Sequence, residues 1–249
     1  MSFVNLREVL DSLGPHSAGS DVGPLLDHAE ADEAHVLALL RKRELATPVI
    51  EAVARHDRWN KRHVVRAAIV NHMKTPRTLA LRMLSLLFWR EQLRVATNIR
   101  LAMPLRVAAE SRLKERLPEL ELGEKISMAH SAPPGLIPAL TAENHDRVIQ
   151  SLLRNPRMRE QEVLALVKRE TTSAQVLRVV AQSERWIVRP PIKSGVVSHR
   201  NTPVHVALTL VGRMPHRELR VLVKRDELPP VVAIRARKIL SGDEIASPR

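Results

Sequence analysis

One stretch of this chain occurs twice, and the duplication limits the possible fold more than any other feature of the sequence. Residues 65–87 read VRAAIVNHMKTPRTLALRMLSLL, and residues 192–214 read IKSGVVSHRNTPVHVALTLVGRM, 127 positions later. Each copy has an apolar segment at helical spacing, a polar turn that ends in Thr-Pro, and a second apolar segment. Proline is tolerated in the first turn of a helix and threonine is a good N-cap, so we expect each Thr-Pro pair to begin the second helix. The pattern predicts two helices and a turn as the repeated unit.

The duplication extends over most of the chain. Residues 25–91 align with residues 152–218 without a gap, and about a third of the aligned positions are identical. After a deletion of one residue the match resumes at Leu93 and Leu219. Within each half, turn prolines recur roughly every 20 to 30 residues, a period typical of solenoids, in which each repeat buries its apolar face against its neighbours. The sequence therefore predicts an all-α solenoid of about eight helical-pair repeats.

The predicted domain organisation follows from the limits of the alignment. We expect an N-terminal cap and loop at residues 1–24, a solenoid at residues 25–240 and a disordered tail at residues 241–249. Within the solenoid, the halves 25–117 and 152–240 are joined by a divergent unit at residues 118–151.

Composition excludes several classes of protein. The chain has no cysteine, which excludes a disulfide framework, a thiol nucleophile and a thiolate metal site. Its first residues have no basic flank that leads into a long apolar run, and Arg82 interrupts the most apolar stretch, residues 79–89. We therefore expect a cytoplasmic protein that does not insert into a membrane.

The charge of the chain is strongly basic and unevenly distributed. The formal net charge is +13, but residues 1–35 carry seven acidic side chains and one basic side chain, which leaves +19 on the remainder. A field of this sign attracts nucleic acids and acidic protein surfaces alike, so it does not by itself identify the partner.

The turns HMKTP, HSAPP, RNPRM and HRNTP are each followed by an apolar helix, and they carry a family resemblance. The chain resembles the leucine-rich-repeat variant family and, more loosely, HEAT-type α-solenoids. The resemblance implies paired helices in a right-handed superhelix. The founding member of the variant family carries a cysteine-bound iron–sulfur cluster, which this chain has no cysteine to hold. We therefore expect no cofactor.

Basic residues at matching places in the two halves are the main candidates for a binding site. In a solenoid, matching places form parallel lines on the surface, and such lines fit either an acidic protein surface or a phosphate backbone. The alternative is a solvated helical face, on which arginine stems cover apolar surface. The matching sets are Arg41-Lys42 and Lys168-Arg169, Arg58 and Arg185, Arg62 and Arg189, Arg66 and Lys193, Arg90 and Arg217, and Arg94 and Arg220, and the predicted contact surface takes in the five pairs from Arg58 onward.

Two tryptophans and three histidines also recur. Trp59 and Trp186 are either large side chains wedged between repeats or exposed anchors for a protein partner, and we include them in the predicted contact surface. His72, His130 and His199 each lie four residues before a proline, and this repetition favours a structural bond to a helix-terminal carbonyl over a ligand role.

Signatures of catalysis and of metal binding are missing from the sequence. It has no GxSxG motif, no glycine-rich phosphate loop and no HExxH motif. We therefore predict a non-enzymatic scaffold that binds an acidic protein partner through its basic surface. The alternative is a solenoid that binds the phosphate backbone of DNA or RNA.

Overall fold

The computed structural model of the chain describes residues 6–225 and 228–242, and within these ranges every regular element is helical. The all-α prediction is therefore confirmed. Residues 243–249, most of the predicted tail, lie outside the described residues, as does Phe3 at the start of the predicted cap.

The chain divides into two compact units, residues 1–119 and 120–249. The division falls at the start of the predicted divergent segment, residues 118–151. The finer predicted subdivision into cap, halves and tail stays a prediction.

The first unit contains nine described α-helices and two 3-10 helices, Gly19–Val22 and Leu117–Glu119. The α-helices are α1 (Leu6–Ser12), α2 (Gly23–Leu26), α3 (Glu33–Leu40), α4 (Thr47–Arg55), α5 (Asp57–Asn60), α6 (His63–Asn71), α7 (Arg77–Leu84), α8 (Trp89–Thr97) and α9 (Met103–Arg116).

The second unit contains ten described α-helices. They are α10 (Leu122–Ser131), α11 (Ile137–Ala142), α12 (Asp146–Arg154), α13 (Glu160–Lys168), α14 (Ala174–Gln182), α15 (Glu184–Ile187), α16 (Pro190–Ser198), α17 (Val204–Gly212), α18 (His216–Leu222) and α19 (Pro230–Ser241).

Helix starts recur at the spacing of the sequence duplication. Helices α4, α5, α6, α7 and α8 begin 127 positions before α14, α15, α16, α17 and α18, respectively. Similar local sequences thus begin helices at matching positions in the two units.

Several helices pack against more than one other helix of their own unit. In the first unit, α6 contacts α3 and α8, while α7 contacts α6 and α9. In the second unit, α16 contacts α13 and α18, while α17 contacts α14, α16 and α19. The core between these layers is aliphatic, with Ile69, Val70, Val196 and Val197 fully buried. Burial of each such side chain stabilises the fold by roughly 1.5–3 kcal/mol.

The Thr-Pro pairs act differently from the prediction. Helices α7 and α17 begin one residue after the proline, so Pro76 and Pro203 occupy the N-cap positions themselves. The Thr75 hydroxyl donates a hydrogen bond to the Ile69 carbonyl at 2.5 Å, and the Thr202 hydroxyl donates to the Val196 carbonyl at 2.6 Å. The expectation that threonine caps the following helix is wrong, because its hydroxyl satisfies a free carbonyl at the end of the preceding helix.

Candidate partner-binding surface

Trp59 and Trp186 lie in the core. Each indole is only 1% exposed, and each ring N–H donates to a carbonyl of the preceding repeat, at 3.0 Å to Leu26 and at 2.9 Å to Leu153. Both carbonyls belong to the last turn of a helix, α2 or α12, where no intrahelical donor is available. The two tryptophans therefore join repeats, and their inclusion in the predicted contact surface is corrected here, since a buried ring cannot reach a partner.

Arg58 and Arg185 complete the same junctions. The Arg58 guanidinium donates to the carbonyls of His28 at 3.2 Å and Ala31 at 2.7 Å, and its carbon lies 4.4 Å from the centre of the Trp59 ring. Arg185 donates to the carbonyls of Asn155 and Met158 and lies 4.5 Å from the centre of the Trp186 ring. Both arginines are exposed, and each uses two of its donors for these bonds inside its own unit.

Histidines and an asparagine close further helix ends. The Nε2 atoms of His72 and His199 lie 3.0 Å from the carbonyls of Lys42 and Arg169, as expected for a structural role. His130 shares their spacing from a proline but is exposed. At that junction the amide of Asn155 donates instead, to the Ala129 and Ala132 carbonyls at 2.9 and 3.0 Å. The asparagine of the RNPRM turn was the sequence signal for this role.

Three further predicted residues are engaged with neighbouring groups of their own unit. The Arg66 Nε donates to the Asn60 carbonyl, and Arg189 forms an ion pair with Glu160. The Lys193 ammonium lies 3.2 Å from the Glu218 carboxylate, and both side chains are largely buried. These side chains are occupied within the fold.

A pair of half-buried carboxylates escaped the sequence analysis. Glu91 and Glu218 stand 127 positions apart, at the start of α8 and α18. In the second unit Glu218 binds Lys193, whereas in the first unit the Glu91 carboxylate lies 3.2 Å from His63 Nε2, outside hydrogen-bonding geometry. The His63 ring stacks on Phe88 with their centres 4.0 Å apart. The recurrence of Glu at these positions was the available signal, but only the packing reveals that the two carboxylates have different neighbours.

The remaining five predicted residues are exposed. Arg62 precedes α6, Arg90 and Arg94 lie one turn apart on α8, and Arg217 and Arg220 lie on α18. Arg90 is exposed, and its guanidinium carbon lies 5.3 Å from the centre of the Trp89 ring. In the described residues no carboxylate forms an ion pair with any of the five. They are the part of the predicted site that the structure leaves available.

Arg217 also lines a groove of about 460 Å³ between α16 and α18. Its walls are formed in part by Pro190, Pro191, Met214 and Val221, which are apolar. The groove thus combines an exposed cation with an apolar floor, a combination that suits a peptide side chain.

The described residues show neither a metal centre nor a membrane span. They contain no group of three or more His, Cys, Asp or Glu side chains placed to hold a metal ion. Within the same ranges no helix combines the length and the apolar character that crossing a bilayer requires. The pKa of the Asp32 carboxyl is lowered, chiefly by the backbone N–H of His35, because Asp32 caps α3. This is a structural use of a carboxylate.

Comparisons of the chain with protein-family models, with curated proteins and with solved structures find no match.

Proposed function

We propose that this protein is a non-enzymatic scaffold that binds an acidic protein partner through the exposed arginines of α8 and α18. The observation that carries the proposal is the division of the predicted basic residues into two sets. Arg58, Arg66, Arg185, Arg189 and Lys193 each bond a group of their own unit, whereas no carboxylate among the described residues forms an ion pair with the exposed arginines of α8 and α18.

The small contribution of exposed charges to stability favours partner binding as the role of the arginines on α8 and α18. Exposed charges contribute roughly 0–1 kcal/mol to stability even when they are paired. Unpaired arginines contribute less, but they attract an acidic surface and raise its rate of association. The net charge of +13 acts in the same direction.

The finer architecture belongs to the same proposal. The chain is a right-handed α-solenoid of the kind that the leucine-rich-repeat variant and HEAT resemblance implies, built by duplication of a block of repeats. Two observations support this architecture: the recurrence of helix starts after 127 residues, and side-chain bonds from each repeat to the one before it. A preformed surface of this kind lowers the entropic cost of binding.

A charge-matched pair of variants tests the proposal. The test variant is R90Q/R94Q/R217Q/R220Q, and the control variant K61Q/R77Q/K114Q/R237Q removes the same charge from other exposed positions. Binding of a fluorescein-labelled decaglutamate peptide is measured by fluorescence anisotropy. We expect the test variant to bind about tenfold more weakly, a loss of about 1.4 kcal/mol, and the control to change less than about threefold.

The same assay addresses nucleic acid as the alternative partner. Labelled duplex DNA and a structured RNA are titrated at two salt concentrations beside the peptide. Tighter binding of either nucleic acid than of the peptide, with a steep loss as salt rises, would overturn the proposal in favour of a phosphate backbone. Equal losses in the test and control variants would show that net charge acts without a defined surface.

A further inference from the structure

Each unit contains a groove at one end of its stacked helices, and the two grooves are built from corresponding positions. The first, of about 310 Å³, lies at the C-terminal ends of α3, α6 and α8. The second, of about 510 Å³, lies at the ends of α13, α16 and α18. Every residue that lines the second groove stands 127 positions after a residue that lines the first. The second groove includes Arg225, which also lines the neighbouring groove beside Arg217.

A fixed imidazole lines each groove. His72 Nε2 lies 3.0 Å from the Lys42 carbonyl, while its Nδ1 accepts a bond from the Lys74 backbone N–H at 3.2 Å. His199 makes the equivalent pair of bonds, to the Arg169 carbonyl and from the Asn201 N–H. Because both ring nitrogens are engaged, the wall of each groove is preformed, which lowers the cost of ordering it around a ligand.

A small residue lines each groove together with its imidazole. This residue is Ala68 in the first groove and Gly195 in the second. A Cβ atom at Gly195 would lie 2.8 Å from the Val167 Cγ2 atom, so α13 and α16 approach as closely as a glycine permits. Nearby, the buried Ser198 hydroxyl has no hydrogen-bond partner, although it lines the groove. A polar group of a ligand would satisfy it.

Cations surround both grooves. The first groove is lined by three exposed arginines, Arg41, Arg43 and Arg100. No carboxylate is among its described lining residues. Lys168, Arg200 and Arg225 line the second, where Glu170 is the one carboxylate, 3.7 Å from Arg200 and strongly exposed.

Helix C-termini favour nearby cations through the helix dipole, which is the structural alternative for these residues. However, the arginines that close helix ends in this protein, such as Arg58, donate directly to carbonyls. Within the described residues, Arg41, Arg43 and Arg100 make no such bond.

We propose that each groove binds one extended acidic segment of the protein partner, so that the chain carries two equivalent acidic-peptide sites. This inference rests on the proposed function: to the arginines along α8 and α18 it adds a groove at the C-terminal end of each of these helices, and with the two grooves a stoichiometry. Charge complementarity selects Asp or Glu side chains, which accept paired hydrogen bonds from guanidinium groups. Apolar walls at Leu37, Leu40 and Val167 suit the aliphatic parts of a peptide.

The lining of the grooves favours a peptide over a single-stranded nucleic acid. Apart from the imidazoles of His72 and His199, whose ring nitrogens are already bonded, no aromatic side chain lines either groove, so bases would find little surface on which to stack. Volumes of about 310 and 510 Å³ are in the range of small-ligand pockets and hold a few side chains.

The test is a stoichiometry measured on the full chain by isothermal titration calorimetry with a blocked decaglutamate peptide. We expect two peptides per wild-type chain. The variants R41Q/R43Q/R100Q and K168Q/R200Q/R225Q should each bind one, and the sixfold variant should bind at least about tenfold more weakly. The control K61Q/R77Q/K114Q should retain two, and circular dichroism verifies that every variant is folded.

Other outcomes distinguish this inference from the proposed function. If the groove variants keep the wild-type stoichiometry and affinity while R90Q/R94Q/R217Q/R220Q binds weakly, the grooves are not the sites but the proposed function stands. If the wild-type chain does not bind the peptide, both proposals fail. If an RNA of equal charge competes for the same two sites and binds more tightly than the peptide, the assignment to an acidic peptide is wrong.

Discussion

Replacing Trp186 with phenylalanine tests whether the recurring tryptophans hold repeats together or contact a partner. The substitution keeps an aromatic ring in the core but removes the N–H that donates to the Leu153 carbonyl at 2.9 Å. Trp59→Phe makes the same change in the first unit, where the indole donates to the Leu26 carbonyl at 3.0 Å. The two variants are therefore internal replicates of one experiment.

The expected loss of stability follows from three effects. A buried carbonyl left without its donor costs about 1–3 kcal/mol. The missing pyrrole ring leaves a void of roughly 40 Å³, which costs about 1 kcal/mol at about 24 cal/mol per Å³. The cation–π contacts weaken by about 0.5 kcal/mol, because Arg185 and Arg189 lie 4.5 and 5.2 Å from the centre of the Trp186 ring. We expect each substitution to lower the free energy of unfolding by about 2.5–4.5 kcal/mol, slightly more at Trp186, which has two arginines against its ring.

The assay is urea unfolding followed by far-UV circular dichroism, since tryptophan fluorescence would itself change with the substitution. The two units need not unfold together, so the midpoint of the transition of the altered unit is compared with that of wild type. Binding of the decaglutamate peptide is measured below the transition.

A loss below about 1 kcal/mol in both variants would refute the reasoning, because it would mean that the indoles do not satisfy the buried carbonyls. Weakened peptide binding with unchanged stability would also refute it, since that is the result expected if the tryptophans contact the partner directly.

Three further predictions come from other parts of the structure. Arg58→Ala should lower the free energy of unfolding by about 1–2 kcal/mol, since it removes hydrogen bonds of 3.2 and 2.7 Å to two carbonyls. Arg62→Ala, at an exposed residue, should change the free energy of unfolding by less than about 0.5 kcal/mol. Gly195→Ala gains about 1 kcal/mol of helix propensity but crowds Val167, at a cost of about 1–3 kcal/mol. We therefore expect a net loss in urea unfolding. Asp32→Ala should destabilise the protein near neutral pH, and the difference from wild type should disappear as the pH falls well below 3.8, the ordinary pKa of the carboxyl.

Each of these predictions has its own control. Equal losses in Arg58→Ala and Arg62→Ala would show that the carbonyl bonds contribute nothing. Combining Gly195→Ala with Val167→Ala should cost less than the two single losses together, and strict additivity would mean that the contact is not responsible. For Asp32 the sign follows from its lowered pKa: the stabilisation is present above 3.8 and is lost as the pH falls through the folded-state value. A difference that is independent of pH would contradict the capping role.

The local elements were predictable because they depend on residues close together in the chain. Apolar spacing and turn prolines indicated the helices, and helix starts in the two units repeat after the same 127 residues as the sequence. The role of the Thr-Pro pairs was misjudged, since a threonine hydroxyl can cap the next helix or bond the previous one. Sequence spacing does not distinguish these two bonds, and Thr202 makes the second.

The candidate site was only partly predictable. The sequence identified a matched set of basic residues but not which of them bond groups of the fold. Arg185 and Arg217 have the same charge and the same recurrence, yet Arg185 reaches a carbonyl 30 residues earlier while Arg217 points to no carboxylate among the described residues. The two grooves could not be predicted from the sequence either, because each is formed by the ends of three helices that are distant in sequence.

The sequence by itself determined that this protein is helical, basic and internally repeated, because helix propensity, net charge and repetition are properties of the chain alone. Only the tertiary structure decided what each charge does. A guanidinium group that lies beside an unsatisfied carbonyl of the preceding repeat stabilises the stack, and one that finds neither carbonyl nor carboxylate stays available to a partner. That distinction depends on how successive helices pack.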